Sequence, residues 1–336
     1  MTMIAHSTSF MRFLYHAAAR QLLRMSLIAA LVLLSAAALV LARAYMRDIR
    51  EAQRRITGRS EVVGTSFGQV EYAMAGTGRE VLMIHGTGGG FDQGQTFTEA
   101  LVRHGFRVIA PSRFGYLRSD FPDDPSSERQ ADALAELLDR LGIGKVAVAG
   151  GSAGALSDVQ FALRHPNRCA ALVLIVPAAN VRGADPVAMT PLQEFLVRRM
   201  TTSDMLFWAG AKFRRDDIIA TLLATDPTLV AAATVPERQR VDRILDEILP
   251  VSARSRGMLN DAKLAGRPAR VDFSKVMVPT LVISVEDDRF GTAMTARDIA
   301  ASVPRARLVI YPAGGHVCVG HDEQLWSEVA RFLGGL

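Results

Sequence analysis

From residue 80 onward the chain alternates short apolar runs with amphipathic helical stretches, a rhythm that few folds accept. "EVLMIHG" (80–86), "FRVIAPS" (106–112), "KVAVAGG" (145–151) and "CAALVLIVP" (169–177) are continuous apolar runs, as expected of strands buried on both faces. "ERQADALAELLDRLGI" (128–143) sets Ala131, Leu134, Leu137, Leu138 and Leu141 on one helical face. "ALSDVQFALRHP" (155–166) reads as a helix closed by proline, and "GQVEYAMAG" (68–76) as an early antiparallel strand. The alternation resumes with "PTLVISVED" (279–287), "AMTARDIAASV" (293–303), "ARLVIYP" (306–312) and "EQLWSEVARFL" (323–333). This pattern predicts an α/β fold, a mostly parallel sheet with helices on both faces. Between about 178 and 270 only helical patterns occur, among them "PLQEFLVRRM", "DMLFWAGAKF" and "RVDRILDEIL". A helical insertion between two strands reads as a cap over the strand C-terminal ends, where such sheets bind ligands.

Residues 1–60 are of another kind. "MSLIAALVLLSAAALVLA" (25–42) carries no charge, and its length falls within the roughly 17–25 residues that span a bilayer core. Arg24 and Arg43 bracket it. The segment reads as an N-terminal transmembrane anchor in contact with the lipid bilayer; a cleaved signal peptide, or a helix buried in a soluble core, are the alternatives. Three arginines precede the run and six follow closely, so the positive-inside bias places the remainder of the chain in the cytoplasm. Arg47 to Arg59 reads as a charged stem lying on anionic headgroups. The domain organisation expected is therefore an anchor and stem over 1–60 and an α/β domain over 61–336, with its cap at about 178–270.

The net charge of +5 does not point to nucleic acid, because it resides in that first segment. Nine arginines there face only Asp48 and Glu51, whereas the rest of the chain has 30 basic and 32 acidic residues. Cys169 and Cys318 cannot form a disulfide framework, and neither HExxH nor CxxC occurs, so no metal site is expected.

The chemistry gathers around "VAVAGGSAGAL" (146–156). Ser152 lies in a Gly150-x-Ser152-x-Gly154 frame directly after a buried strand and before a helix. That context turns a common pentapeptide into a candidate nucleophile: the turn is strained, glycines let strand and helix cross it, and the helix N-terminus stabilises anions. A serine nucleophile needs a base. His316, in "YPAGGHVCVGH" beyond the last strand, has two glycines before it and is positioned to reach Ser152, while His321 falls at a helix start where it caps or packs. The imidazole needs a carboxylate to set its tautomer. "LVISVEDDRF" supplies Glu286, Asp287 and Asp288, of which Asp288 is favoured and Asp287 is second. The oxyanion needs donors: the Ala153 N–H, and a second from Thr87 or Gly88 in "HGTGGG" (85–90). His85 is read as an anchor of that loop.

With these residues together, the chain resembles the α/β-hydrolase superfamily over about residues 61–336. "HGTGGG" matches its oxyanion loop, "GGSAG" its nucleophile elbow, "EDDRF" its acid and "GGH" its base, in the family's order Ser…Asp…His. The resemblance implies a triad of Ser152, Asp288 and His316 and no cofactor. "RFGYLRSD" (113–120) is similar to the loop after the fourth strand, although Pro111-Ser112 stands where an acid is usual. "PVSARSRGMLND" (250–261) looks like a cap segment from which Arg256 or Asn260 would face the substrate. A serine at the elbow argues against the haloalkane-dehalogenase and epoxide-hydrolase branches. The expectation is a membrane-anchored serine hydrolase acting on an ester-like bond, with the apolar cap suggesting an apolar small-molecule acyl substrate. A carbon–carbon bond hydrolase of the same fold, or a non-catalytic binding protein, are the alternatives.

Overall fold

The computed structural model describes residues 3–180 and 190–336, and the backbone separates into two compact units, 1–51 and 52–336. Helix α1 (Met3–Ile56) forms the first unit and enters the second. Its Arg20–Ile56 portion holds a stretch apolar and long enough to cross a membrane, and no residue of that stretch is buried.

In the second unit a sheet is built from β1 (Glu61–Thr65), β2 (Gly68–Ala75), β3 (Arg79–Ile84), β4 (Phe106–Pro111), β5 (Val146–Gly151), β6 (Cys169–Ile175), β7 (Thr280–Val285) and β8 (Ala306–Tyr311). Its spatial order is β1-β2-β4-β3-β5-β6-β7-β8. The β1–β2 and β2–β4 pairs are antiparallel and all others parallel, the mostly parallel arrangement expected. Strand β1 was not anticipated. It is an edge strand with exposed Glu61 and Val62, so its residues carry no buried apolar run, and it is held by a hairpin whose register pairs Thr65 with Gly68.

Helices α2 (Phe91–Phe97), α3 (Glu99–Arg103), α4 (Ser127–Arg140) and α5 (Gly154–Arg164) connect the first strands. Ser126 caps α4, its hydroxyl accepting from the Arg129 amide at 3.4 Å. Six helices follow β6 among the described residues: α6 (Pro191–Thr202), α7 (Asp204–Phe213), α8 (Arg215–Thr221), α9 (Pro227–Ala232), α10 (Val235–Asp246) and α11 (Ser255–Gly266). Helices α12 (Thr292–Ser302) and α13 (Asp322–Gly334) complete the chain.

Alternation along each strand divides the core between two faces. Leu82, Ile84, Val146 and Val148 pack with Leu134, Leu137, Val159 and Ile299 of α4, α5 and α12. Val81, Met83, Ala147 and Ala149 pack with Leu101, Trp326 and Val329 of α3 and α13. Each fully buried aliphatic side chain contributes about 1.5–3 kcal/mol, which explains why these strands carry unbroken apolar runs.

The compact unit begins at Ala52 rather than Glu61, so the charged stem is not wholly a surface segment. Arg55 donates to the carbonyls of Asp246 and Leu249 at 2.9 and 2.7 Å, capping the last turn of α10.

Candidate active site

Ser152 closes β5 and precedes α5, with φ of 52°. A non-glycine residue in the left-handed region costs about 1–2 kcal/mol, and it is held there by the amide of Ser152 donating to Ile175 O at 2.9 Å. At Gly150 a Cβ would stand 2.1 Å from Asp158 Oδ2 on the crossing helix α5, so the buried Asp158 side chain would have to move to admit one. At Gly154 a Cβ would meet the carbonyl oxygens of Ile84 and His85 at 2.5 and 2.8 Å, so helix α5 can approach β3 only without one.

His316 and Asp288 meet on the loops after β8 and β7. His316 Nδ1 lies 2.9 Å from Asp288 Oδ2, and the Phe290 ring stands edge-on to the imidazole at 4.9 Å. Asp288 is buried and further bonded by the Phe290 amide at 2.9 Å and by the Thr292 hydroxyl. Burial alone would raise its pKa, but the bonds from His316, Thr292 and Phe290 prevail and hold the carboxyl below its ordinary value. Asp287 is directed elsewhere, accepting the amides of Gly314 and Gly315 at 3.2 and 2.8 Å and so shaping the loop that carries His316. Glu286 pairs with Arg297 at the surface. No hydrogen bond joins Ser152 Oγ to His316 Nε2 among the described residues; in unliganded hydrolases this contact is often long and tightens with substrate.

The amide of Ala153, at the start of α5, has no hydrogen-bond acceptor among the described residues, and the same holds for Thr87. Gly88 differs: its N–H is directed at the Tyr116 hydroxyl, 3.4 Å away. Thr87 and Ala153 are therefore candidate oxyanion donors whose amides are not engaged elsewhere among the described residues. The Thr87 loop is fixed from below by His85, whose Nδ1 faces Gly86 O at 2.7 Å while Nε2 accepts the Arg113 amide at 3.0 Å. Burial, then the nearby Arg113 charge, drive the His85 pKa well below its ordinary value, so it stays neutral as an anchor.

The same loop is tied to the cap by two buried ion pairs that sequence reasoning missed. Arg113 binds Asp261 bidentately at 2.7 and 2.6 Å, and Asp261 also accepts from Tyr116 at 2.5 Å and Thr87 Oγ1 at 3.0 Å. Arg254 is fully buried, bonded to Gly89 O at 2.5 Å and to both oxygens of Asp92. Burial opposes the charge on Arg113, yet Asp261 more than compensates and raises its pKa.

Arg256 and Asn260, expected at the substrate, are placed otherwise. Arg256 is exposed and lies over the Phe121 ring at 4.9 Å, and the Asn260 amide donates to Pro125 O at 2.9 Å. Helical phase sets these directions. Arg254, Met258 and Asp261 share the inward face at i, i+4 and i+7, so the buried methionine between two charges was the signal available. His321, at the start of α13, stacks on Tyr311 at 4.2 Å, and His165 packs against Asp132 at 3.0 Å. No cluster of potential metal ligands occurs among the described residues.

The family model described as the alpha/beta hydrolase fold matches residues 80–319, and the chain belongs to that family of hydrolases. Among curated relatives, the 2-hydroxy-6-oxononadienedioate/2-hydroxy-6-oxononatrienedioate hydrolase of Paraburkholderia xenovorans (strain LB400) is 32% identical over 290 residues, covering 79% of this chain and 90% of its own. Among solved structures, an alpha/beta hydrolase fold protein from Nakamurella multipartita matches with a TM-score of 0.61 and 25% identity, over 82% of this chain and 98% of its own. A membrane phospholipase A, described as a bacterial virulence factor, matches with a TM-score of 0.61 and 22% identity, over 93% of this chain and 98% of its own. The last match is too long to be made without part of the N-terminal sixty residues.

Proposed function

We propose that this hydrolase cleaves a carbon–carbon bond next to a ketone, in a substrate of the oxo-dienoate class. The observation that carries the reading is the 32% identity to a 2-hydroxy-6-oxo-dienedioate hydrolase along 90% of that enzyme's length. The ester-like bond expected from the elbow and cap takes second place for that reason. Ser152 attacks the ketone carbon while His316 accepts its proton, Asp288 stabilises the imidazolium, and the amides of Ala153 and Thr87 hold the oxyanion. The dienol must first tautomerise to its keto form, which moves the enol proton to the carbon beside the ketone. Collapse then breaks the bond to that carbon, and its electron pair is delocalised through the neighbouring double bond onto the 2-oxo oxygen. Protonation there gives the hydroxydienoic acid. Water, deprotonated by His316, releases the acyl group as a carboxylic acid and restores Ser152.

A second reading, hydrolysis of a lipid acyl ester, is supported by the likeness to a membrane phospholipase A that extends into the N-terminal helix. It needs the same side chains, since only the leaving group differs. In either case residues 25–42 are read as a membrane anchor, with the catalytic unit on the cytoplasmic side by the arginine bias.

Purified full-length protein given an aromatic ring-cleavage dienoate and a p-nitrophenyl ester series separates the two. Dienoate turnover more than tenfold above the best ester supports the first reading, and the inverse ratio selects the second. Ser152→Ala is expected to abolish both activities and labelling by a fluorophosphonate probe; equal labelling of variant and parent would remove Ser152 from the mechanism.

A further inference from the structure

The cap carries an apolar surface that the catalytic chemistry does not use. Of the exposed large hydrophobic side chains described in residues 52–336, half fall within the 22 residues from Leu192 to Phe213. On α6, Leu192, Phe195 and Leu196 are 66%, 53% and 51% exposed and follow the i, i+3, i+4 spacing of one helical face. On α7, Phe207 and Trp208 turn into the core, while Met205, Leu206 and Phe213 remain at the surface. An apolar concentration of this kind marks an interaction surface rather than ordinary surface scatter.

The charge around it indicates the partner. Residues 191–215 hold five basic and two acidic side chains, whereas residues 61–336 together are slightly acidic. The Arg199 guanidinium lies over the Phe195 ring at 5.2 Å, next to the apolar face. Apolar side chains framed by arginine and lysine on short amphipathic helices suit the interface of an anionic bilayer, into which such faces sink by about 5–10 Å. The same polypeptide carries an unburied apolar helix able to cross a membrane, which would hold the cap at high local concentration near lipid.

We propose that the outer face of α6 and α7 docks onto the surface of an anionic bilayer. This rests on the reading of residues 25–42 as a membrane anchor.

Cys169 and Cys318 are buried, so an introduced surface cysteine takes a maleimide fluorophore selectively. Full-length protein in nanodiscs containing anionic phospholipid would be labelled at Leu196→Cys or, independently, Phe213→Cys. Leu33→Cys reports on the anchor, and Met277→Cys, exposed just before β7 at the strand ends opposite the cap, is the control. Nitroxide-bearing lipid is expected to quench the probes at 33, 196 and 213 at least twofold more than the probe at 277. Quenching at 33 without quenching at 196 and 213 overturns the docking and leaves the anchor intact. Absence of quenching at 33 overturns the anchor and the docking with it. Cap probes shielded from aqueous iodide but untouched by lipid quencher would mean that protein covers the face, which also overturns the proposal.

Discussion

Two adjacent aspartates at the end of β7 do different work, and their hydrogen bonds separate them. Asp288 faces the imidazole of His316, whereas Asp287 accepts the amides of Gly314 and Gly315. Asp288→Asn is expected to lower kcat by about 10³–10⁴ with little change in KM, because the imidazole loses its orienting charge. Asp287→Asn should chiefly cost stability, about 1–2 kcal/mol, read from the urea midpoint. Since Asp288 is held below its ordinary pKa, its contribution to folding is present above the unfolded value and is lost only as pH falls through the lower folded one. Glu247 behaves in the opposite sense. It is buried with one oxygen unpartnered, and burial raises its pKa to about 7. The folded state therefore binds its proton more tightly than the unfolded chain, so the contribution of Glu247 to stability is fully present below about 4.5 and is lost as pH rises through about 7. Glu247→Gln should match the parent at pH 4 and exceed it at pH 8 by up to about 3 kcal/mol in denaturant unfolding.

At the scale of elements, α11 and the loop after β3 form one mechanical piece. Asp261 gathers Arg113, Tyr116 and Thr87, and Arg254 fixes Gly89, so the amide of Thr87 is held by a cap helix far along the chain. Asp261→Ala leaves the Arg113 charge buried and unpaired, for an expected loss of about 3–5 kcal/mol. Asp261→Asn keeps the shape but also leaves the Arg113 charge without its carboxylate, so a loss of similar size is expected, measured by thermal unfolding. The elbow element was legible because a glycine-framed serine after a strand answers to local geometry alone. The α11 pairs were not, because a charged residue in an amphipathic helix looks like solvent-facing surface until its partner is known. Strand β1 escaped for a related reason: an edge strand is defined by its pairing, and Val62 and Val63 are too few to make an apolar signal.

For the whole molecule, the boundary at Ala52 has a testable consequence. Arg55 donates to two carbonyls at the end of α10, so Arg55→Met should lower stability by about 1–3 kcal/mol, measured in detergent by thermal unfolding. A purely superficial stem would show no change. The alternation of apolar runs with amphipathic helices determined the sheet, its two packed faces and the helical insertion, because burial on one or both faces writes its period directly into neighbouring residues. The order of serine, acid and histidine along the chain determined which loops carry the candidate triad. Only the tertiary structure shows which hydrogen bonds Asp287, Asp288, Thr87 and Gly88 make, and which side chains at Arg254 and along α11 turn inward. Each of those arrangements depends on a partner more than twenty residues away in sequence, and no local pattern encodes the direction in which a side chain must point to meet one.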